Sequence, residues 1–189
     1  MKTKIYLLIF SIFLLSCQPN KVLHDIEFDY NSLSKININA NQLTIDSMYN
    51  AIYEEPYIEN SLKIPPSSRI NSWLDRNINV FGTRNTLIIN ILDASITRLE
   101  KENDTNKKYE QKIIYYYEIF LSLEFILLDD LNSVLATTNV EARRSTTSSK
   151  FISLNEKENI LDKLTLEALI DLSNKSEDLL NSHMSNYIL

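Results

Sequence analysis

Cys17 has the clearest chemistry, because it is the only cysteine in the 189-residue chain and follows a short apolar segment. Lys2 and Lys4 precede the apolar residues 5–15, and the small residue Ser16 comes after them. This order of basic residues, apolar core and small residue is typical of a cleavable export signal. The core is shorter than the roughly 20 apolar residues that a membrane-spanning helix needs. We therefore predict a signal peptide that is cleaved between Ser16 and Cys17.

The stretch Leu14-Leu15-Ser16-Cys17 resembles the lipobox of bacterial lipoproteins, in which the cysteine sulfur is acylated, for example with palmitate. The alternative is an ordinary signal peptide that ends by chance beside a free cysteine. A lone cysteine cannot form an internal disulfide, and exported proteins seldom keep a free thiol in an oxidising compartment. Lipidation accounts for both facts, and two or three acyl chains anchor a protein firmly. The sequence thus predicts a membrane partner, held through the lipid on Cys17.

The residue after the cysteine bears on the membrane to which the protein is sorted. Gln18 stands where an aspartate would resemble the inner-membrane retention signal of enterobacterial lipoproteins. We therefore expect the cell outer membrane, with the protein on its periplasmic side. Residues 1–16 are then the signal peptide, residues 17–32 a lipidated tether without sustained periodicity, and residues 33–189 a single folded domain.

Composition limits the classes of partner. Removal of the signal leaves 17 basic against 25 acidic side chains, a net charge of −8. Nucleic-acid binding depends on clustered lysine and arginine, so an acidic domain makes nucleic acid an unexpected partner. The same charge disfavours electrostatic attachment to anionic headgroups. A mature chain of about 170 residues suits one domain with a sizeable core.

Scarce glycine and histidine restrict the possible chemistry further. Gly82 is the only glycine, whereas phosphate-binding loops, dinucleotide-binding turns and nucleophile elbows each need two or more. The two histidines are His24 and His183, and neither belongs to a His-Glu-x-x-His motif. An acylated Cys17 leaves no thiolate for zinc. We predict no metal site and no cofactor.

The carboxylates offer no better catalytic set. Asp129 and Asp130 are adjacent, but beside Asn132 and Ser133 they are typical of a hairpin turn. Glu118 and Glu124 share a predicted strand, where an extended chain separates them by about 20 Å, too far for joint acid/base work. We therefore predict that the protein is not an enzyme and has no catalytic residues.

Hydrophobic periodicity in the first half of the domain predicts strands and one helix. Alternating apolar residues over 36–40 predict a strand, and the change of parity at residues 43–45 predicts a bulge or strand end near Asn41. Apolar residues then recur at spacings of three and four from Ile70 to Phe81, after a serine cap, and Gly82 would close this helix. On its apolar stripe, Trp73 is predicted to be core and not a ligand-stacking residue.

The second half predicts three strands and a long helix. Alternation over 87–99 and 113–127 gives two strands joined by a charged connection over 100–112, and residues 134–142 give a third. Arg143 and Arg144 would then be a solvated or salt-bridged strand end and not an anion site. The segment Ser153-Leu154-Asn155-Glu156 fits a capping box and predicts a helix to about His183, packed on the sheet. The last three residues are either a core contact or an exposed hook.

Several short stretches carry a family resemblance, namely Tyr57-Ile58-Glu59-Asn60, Ile64-Pro65-Pro66, Trp73-Leu74, Ser153-Leu154-Asn155-Glu156-Lys157-Glu158 and Leu169-Ile170-Asp171-Leu172. They resemble a little-characterised family of alphaproteobacterial outer-membrane lipoproteins. That family has no assigned activity, so the resemblance implies location and architecture. More distantly, the chain is similar to auxiliary lipoproteins of ABC-type lipid transport systems and, in layout, to the lipoprotein that plugs the lipopolysaccharide translocon, although it lacks a strongly basic surface.

Together these patterns predict an α+β domain with an antiparallel sheet of about four strands and two helices on one face. The predicted function is that of a non-catalytic envelope lipoprotein, an accessory subunit of a lipid-transport or assembly complex with an envelope protein as partner. The alternative is a stand-alone periplasmic module that binds lipid or a small ligand between the long helix and the sheet.

Overall fold

Long stretches of alternating hydrophobicity form three strands of 16 or 17 residues, and these dominate the domain. The computed structural model describes residues 26–103 and 112–189. Ser16, Cys17 and His24 therefore lie outside the described residues, as does most of the predicted charged connection. In chain order the elements are β1 (Ile36–Ile38), β2 (Gln42–Ser47), α1 (Pro66–Asn77), β3 (Ile78–Val80), β4 (Thr86–Glu102), β5 (Ile113–Leu128), β6 (Val134–Ser149) and α2 (Leu154–His183).

The main sheet has four strands in the order β2-β4-β5-β6. The β4–β5 and β5–β6 pairs are antiparallel, whereas β2 lies parallel to β4. A smaller parallel pair, β1 with β3, extends through an antiparallel bridge between Ile38 and Ile188. The predicted α+β class and four-stranded sheet are confirmed. The change in which positions are apolar, after residue 40, occurs where the chain passes from β1 in the small sheet to β2 in the main sheet.

Both helices pack on one face of the main sheet, as predicted. The inner face of β5 consists of its odd-numbered side chains, and residues 117 to 127 of this set are at most 1% exposed. Helix α2 covers this face with its apolar stripe, formed by Leu161, Leu164, Ala168, Leu169 and Leu172. Helix α1 contributes Ile70, Trp73 and Leu74, all fully buried, so Trp73 is a core residue. Ser153 caps α2, its hydroxyl accepting from the backbone N–H of Glu156 at 3.2 Å.

Aromatic residues at the start of the described chain pack against α1. The guanidinium of Arg69 lies 3.6 Å from the ring centroid of Phe28, and that of Arg76 lies 4.9 Å from the ring of Tyr30. Asn77 donates to the backbone carbonyls of Tyr30 and Leu33, at 2.9 and 3.0 Å. These contacts hold residues 28–33, which the sequence assigned largely to the tether, against the domain.

Helix α1 begins where the sequence predicts, at Pro66, but its predicted C-terminal end and its predicted serine cap are wrong. The helix ends at Asn77, because β-branched Ile78 and Val80 pair with Ile36 and Ile38 in the small sheet. Gly82 is therefore not a helix cap and has no positive φ. Glycine fits at this position because it has no side chain, since an added Cβ would lie only 2.6 Å from Asn39 Oδ1. At the other end no serine side chain caps the helix.

The predicted position of Arg143 and Arg144 at a strand end is also wrong, because β6 continues to Ser149. Both arginines lie inside β6 and form ion pairs with neighbouring elements. Arg143 pairs with Glu118 of β5 at 3.5 Å, and Arg144 pairs with Asp171 of α2. At the C-terminus, the backbone N–H of Leu189 donates to Asn37 at 2.9 Å, so the tail is a structural contact of the small sheet. In the described ranges, neither helix is long and apolar enough to cross a membrane.

Candidate docking face of the sheet

The face of the sheet opposite the helices is partly exposed and carries an unusual mixture of side chains. We define this outer face by the even-numbered residues of β5, from Ile114 to Leu128, and by their cross-strand neighbours on β4 and β6. Because strand side chains alternate in direction, these residues point away from the core that α1 and α2 cover. The hydrophobic residues among them on β5 are half-buried, namely Ile114, Tyr116, Phe120, Ile126 and Leu128.

Ion pairs and hydrogen bonds order the centre of the outer face. Tyr116 donates its hydroxyl hydrogen to Glu118 at 3.0 Å, and Arg143 lies 3.5 Å from the other oxygen of that carboxylate. The guanidinium of Arg143 also stacks 4.9 Å from the ring centroid of Phe120. These contacts link β5 to β6 across the sheet and fix the side-chain rotamers, so this part of the face is preorganised.

Glu124 forms a second polar contact on the outer face. Its Oε2 accepts from Asn90 Nδ2 at 2.9 Å. The Oδ1 atom of Asn90 is buried and has no hydrogen-bond partner. Glu118 and Glu124 thus lie on the same face of the sheet but make separate contacts.

Within the described ranges the edge strand β6 adds backbone without a further strand partner to this surface, although its Glu141 carbonyl accepts from Lys175 Nζ at 2.9 Å. In the described part of the chain, β5 is its neighbour on one side, and the sheet ends at β6 on the other. The opposite edge differs, because β2 and residues 56–58 cover β4, with Arg98 N–H donating to the Pro56 carbonyl at 2.8 Å. An exposed edge strand can pair with a strand of another chain. Arg143 and Glu141 place charges on this edge, which restricts pairing to complementary partners.

The predicted turn residues have the structural functions expected of them. Asp129 Oδ1 accepts from the backbone N–H groups of Leu131 and Ser133, both at 2.8 Å. Asp130 accepts from Arg84 Nε at 2.7 Å, and this hydrogen bond lowers the pKa of the Asp130 carboxyl. Asp129 therefore closes the β5–β6 hairpin, whereas Asp130 joins this turn to Arg84 and Asn85, just before β4.

His183, the histidine within the described ranges, lies at the end of α2, where its Nδ1 is 3.0 Å from Thr138 Oγ1. Residues 26–103 and 112–189 contain no group of three or more His, Cys, Asp or Glu side chains that could hold a metal ion. The predicted site residues Ser16 and Cys17 lie outside these ranges, so cleavage and lipidation stay predictions.

Sequence reasoning missed the outer face, although a signal was present. The odd positions of β5 are apolar and explain the buried face, but five of its even positions are hydrophobic too. A strand that is polar on one side would not carry Tyr116, Phe120 and Ile126 at alternate positions. Because β6 is polar at its outward positions, the pattern indicated a mixed surface and not a second packed layer.

Comparisons with known proteins find distant likenesses of shape. No family model matches the chain, and no curated protein matches it. A minor lipoprotein from Acinetobacter baumannii is 10% identical, with a TM-score of 0.44, over 77% of this chain and 92% of that one. The rare lipoprotein B from Shewanella oneidensis is 16% identical, with a TM-score of 0.40, over 75% and 98%. A protein from Helicobacter pylori described as a neuraminyllactose-binding hemagglutinin homologue is 10% identical, with a TM-score of 0.41, over 85% and 97%.

Proposed function

We propose that this protein is a non-catalytic lipoprotein of the bacterial envelope, anchored through Cys17 to the periplasmic side of the outer membrane. There it serves as an accessory subunit of a complex that transports or assembles lipid. The outer face and the β6 edge are its docking surface for an envelope protein. The single observation that carries the docking role is the 16-residue edge strand, which borders a half-apolar, preorganised face.

The chain geometry is compatible with an anchored docking subunit. Ile26, where the described chain begins, is nine positions after Cys17, and a fully extended chain of that length spans at most about 30 Å. The aromatic contacts of Phe28 and Tyr30 with α1 fix the point at which the chain leaves the domain. The anchor would therefore keep the domain close to the membrane and limit the partners that it can reach.

We do not favour the alternative of a lipid-binding groove between the long helix and the sheet. Leu161, Leu164 and Leu172 of α2 are each at most 2% exposed and fill the interface between the helix and the sheet. An acyl chain between these layers would require the helix to move away from the sheet, at the cost of the apolar burial that holds it there.

The test is in-cell photocrosslinking of the full-length protein, followed by mass spectrometry of the captured material. A photoreactive residue replaces Thr137 or Asn139 on the outer side of β6, and the matched control replaces Asn174, which is exposed on α2. We expect the β6 positions to capture a component of an envelope lipid-transport or assembly complex and the α2 position not to do so. Equal capture from both elements, or none from β6, would contradict the proposed docking surface.

A further inference from the structure

A groove with a positively charged lining lies where α2 begins, beside the far end of β4 and on the helix-covered side of the sheet, since Arg98 pairs in register with the inward-facing Tyr117. It has a volume of about 360 Å³ and lies between the segment that precedes α1, the far end of β4 and the first turns of α2. Its lining includes Tyr53, Glu55, Tyr57, Arg98 and Lys157. We call it the Arg98–Lys157 groove.

The two cations of this groove are unequally neutralised. Arg98 Nη2 is 2.8 Å from Glu55 Oε1, but the side chain of Glu55 is 82% exposed. None of the ion pairs within the described ranges involves Lys157. Glu55 is the acid that pairs with Arg98, and a competing anion could displace it into solvent. Glu158 follows Lys157 on the helix, and Glu100, which lines a cavity with Arg98, pairs with Lys150.

Lys157 lies in an environment that disfavours its charge. Burial, together with the Arg98 guanidinium, lowers the pKa of the Lys157 ammonium, and Glu158 opposes this effect only in part. The first turns of a helix also carry a partial positive charge, so a lysine there gains nothing from the helix dipole. A second cation beside it makes the groove short of negative charge, in a protein whose overall net charge is −6.

An anion in the groove would relieve this imbalance. A phosphate group is the ligand that fits best, because it accepts several charge-assisted hydrogen bonds at once, from a guanidinium and an ammonium in particular. The phenol groups of Tyr53 and Tyr57 supply further donors at the rim. A carboxylate has fewer acceptor oxygens and would leave one of the two cations less well satisfied.

We propose that the Arg98–Lys157 groove is a binding site for a phosphate group, carried by a lipid headgroup or by a soluble phosphate ester. Arg98 and Lys157 hold the phosphate oxygens, and Glu55 competes with the ligand for Arg98. The site is separate from the outer face, so it does not depend on the proposed docking role. A headgroup is a candidate source of the phosphate, because Ile26, at the start of the described chain, lines a neighbouring cavity with Asn155 and Glu158 of α2.

The test measures chemical modification of lysine in the full-length protein, held in a neutral detergent. Acetic anhydride is applied briefly, and mass spectrometry gives the acetylation rate of Lys157, with the exposed Lys163 as an internal control. Three samples are compared, in the detergent alone, with added inorganic phosphate, and with phosphatidylglycerol mixed into the micelles. We expect that inorganic phosphate, phosphatidylglycerol or both slow the acetylation of Lys157 relative to detergent alone. The acetylation rate of Lys163 should not change.

The two arms distinguish the sources of the ligand. Protection by both probes indicates a site for phosphate groups in general, and protection by phosphatidylglycerol alone indicates a headgroup site. Protection by inorganic phosphate alone indicates a soluble ester. Unchanged acetylation of Lys157 in both arms would overturn the proposal.

Two variants test the geometry. Arg98→Gln should weaken binding of the protecting probe about tenfold, since a charge-assisted hydrogen bond is lost. Glu55→Gln should strengthen it several-fold, because the competing carboxylate is gone. This second variant changes an exposed side chain, so the fold does not depend on it, and weaker or equal binding by Glu55→Gln would contradict the assigned competition at Arg98.

Discussion

Tyr49 donates its hydroxyl hydrogen to the buried carboxylate of Glu59, and this contact fastens the segment before α1 to the edge of β4. Glu59 is 1% exposed and also accepts from the backbone N–H groups of Ile52, at 3.2 Å, and Ile96, at 3.5 Å. A buried carboxylate needs such donors, because its desolvation is otherwise costly. The irregular segment predicted from the sequence is therefore organised around one buried acidic side chain, and backbone hydrogen bonds such as that from Ile58 N–H to the Ile96 carbonyl at 2.9 Å also join it to β4.

Tyr49→Phe should destabilise the protein, because it removes a charge-assisted donor to Glu59 and leaves the ring in place. We expect a loss of about 1.5–3 kcal/mol in the free energy of unfolding, measured by urea denaturation. Tyr53→Phe is the matched control, since Tyr53 is 84% exposed. Equal stability of the two variants would show that the Tyr49–Glu59 contact contributes little.

The same contact predicts a response to alkaline pH. Burial first, and then the hydrogen bond to Glu59, raise the pKa of Tyr49 above its ordinary value. A raised pKa in the folded state means that the stabilisation is fully present below the ordinary tyrosine pKa of about 10 and is lost as the pH rises beyond it. Between about pH 9 and pH 11 the wild type should therefore lose more stability than Tyr49→Phe, measured by urea denaturation at each pH. Parallel losses would contradict this assignment.

Asp171→Asn should remove an acid-sensitive contribution to stability. Arg144 Nη2 donates to Asp171 Oδ1 at 2.8 Å, and this hydrogen bond lowers the pKa of the Asp171 carboxyl. A lowered pKa in the folded state contributes stability above the ordinary carboxyl pKa of about 4, and the contribution is lost as the pH falls. The wild type should thus exceed Asp171→Asn in stability at neutral pH, and the difference should vanish in acid.

Thermal unfolding followed by circular dichroism across this pH range measures the Asp171 effect. Asp178→Asn, on an exposed position of α2, is the control and should show no such pH dependence of the difference. A difference between the wild type and Asp171→Asn that persists in acid would mean that packing, and not charge, explains it.

Gly82→Ala should be destabilising although Gly82 has no positive φ. The added methyl group would lie 2.6 Å from Asn39 Oδ1 and 2.9 Å from the Ala40 backbone nitrogen, and backbone cannot rotate away as a side chain can. Crowding of this kind costs about 1–3 kcal/mol, measurable by urea denaturation. Thr83→Ala at the exposed neighbouring position should have little effect, and equal stabilities would argue against the close approach.

Cys17→Ala should abolish lipid attachment, because the acyl chains are predicted to be carried by this sulfur. Metabolic labelling with a clickable palmitate analogue should mark the wild type and not the variant. We also expect the variant to stay uncleaved or to leave the outer-membrane fraction. Normal labelling of Cys17→Ala would disprove the lipobox assignment.

Much of the architecture was accessible from the sequence, and the candidate sites were not. Alternation placed β4, β5 and β6, and the Ser153 capping box placed the start of α2, because these signals depend on neighbouring residues. The end of α1 was missed because pairing of Ile78 with Ile36 is a long-range interaction that competes with continuation of the helix. Arg98 and Lys157 are 59 positions apart in the sequence, so no local pattern could bring them together.

The sequence by itself determined the predicted export signal, the acidic charge, the scarcity of glycine and the two hydrophobic periods of strand and helix. These are properties of composition and of residues close in the chain. The tertiary structure decided which strand became the exposed edge, which acid was buried, and which two cations came to line one groove. Strand order, desolvation and Coulomb interactions depend on distances in space between remote residues, and only the folded chain sets those distances.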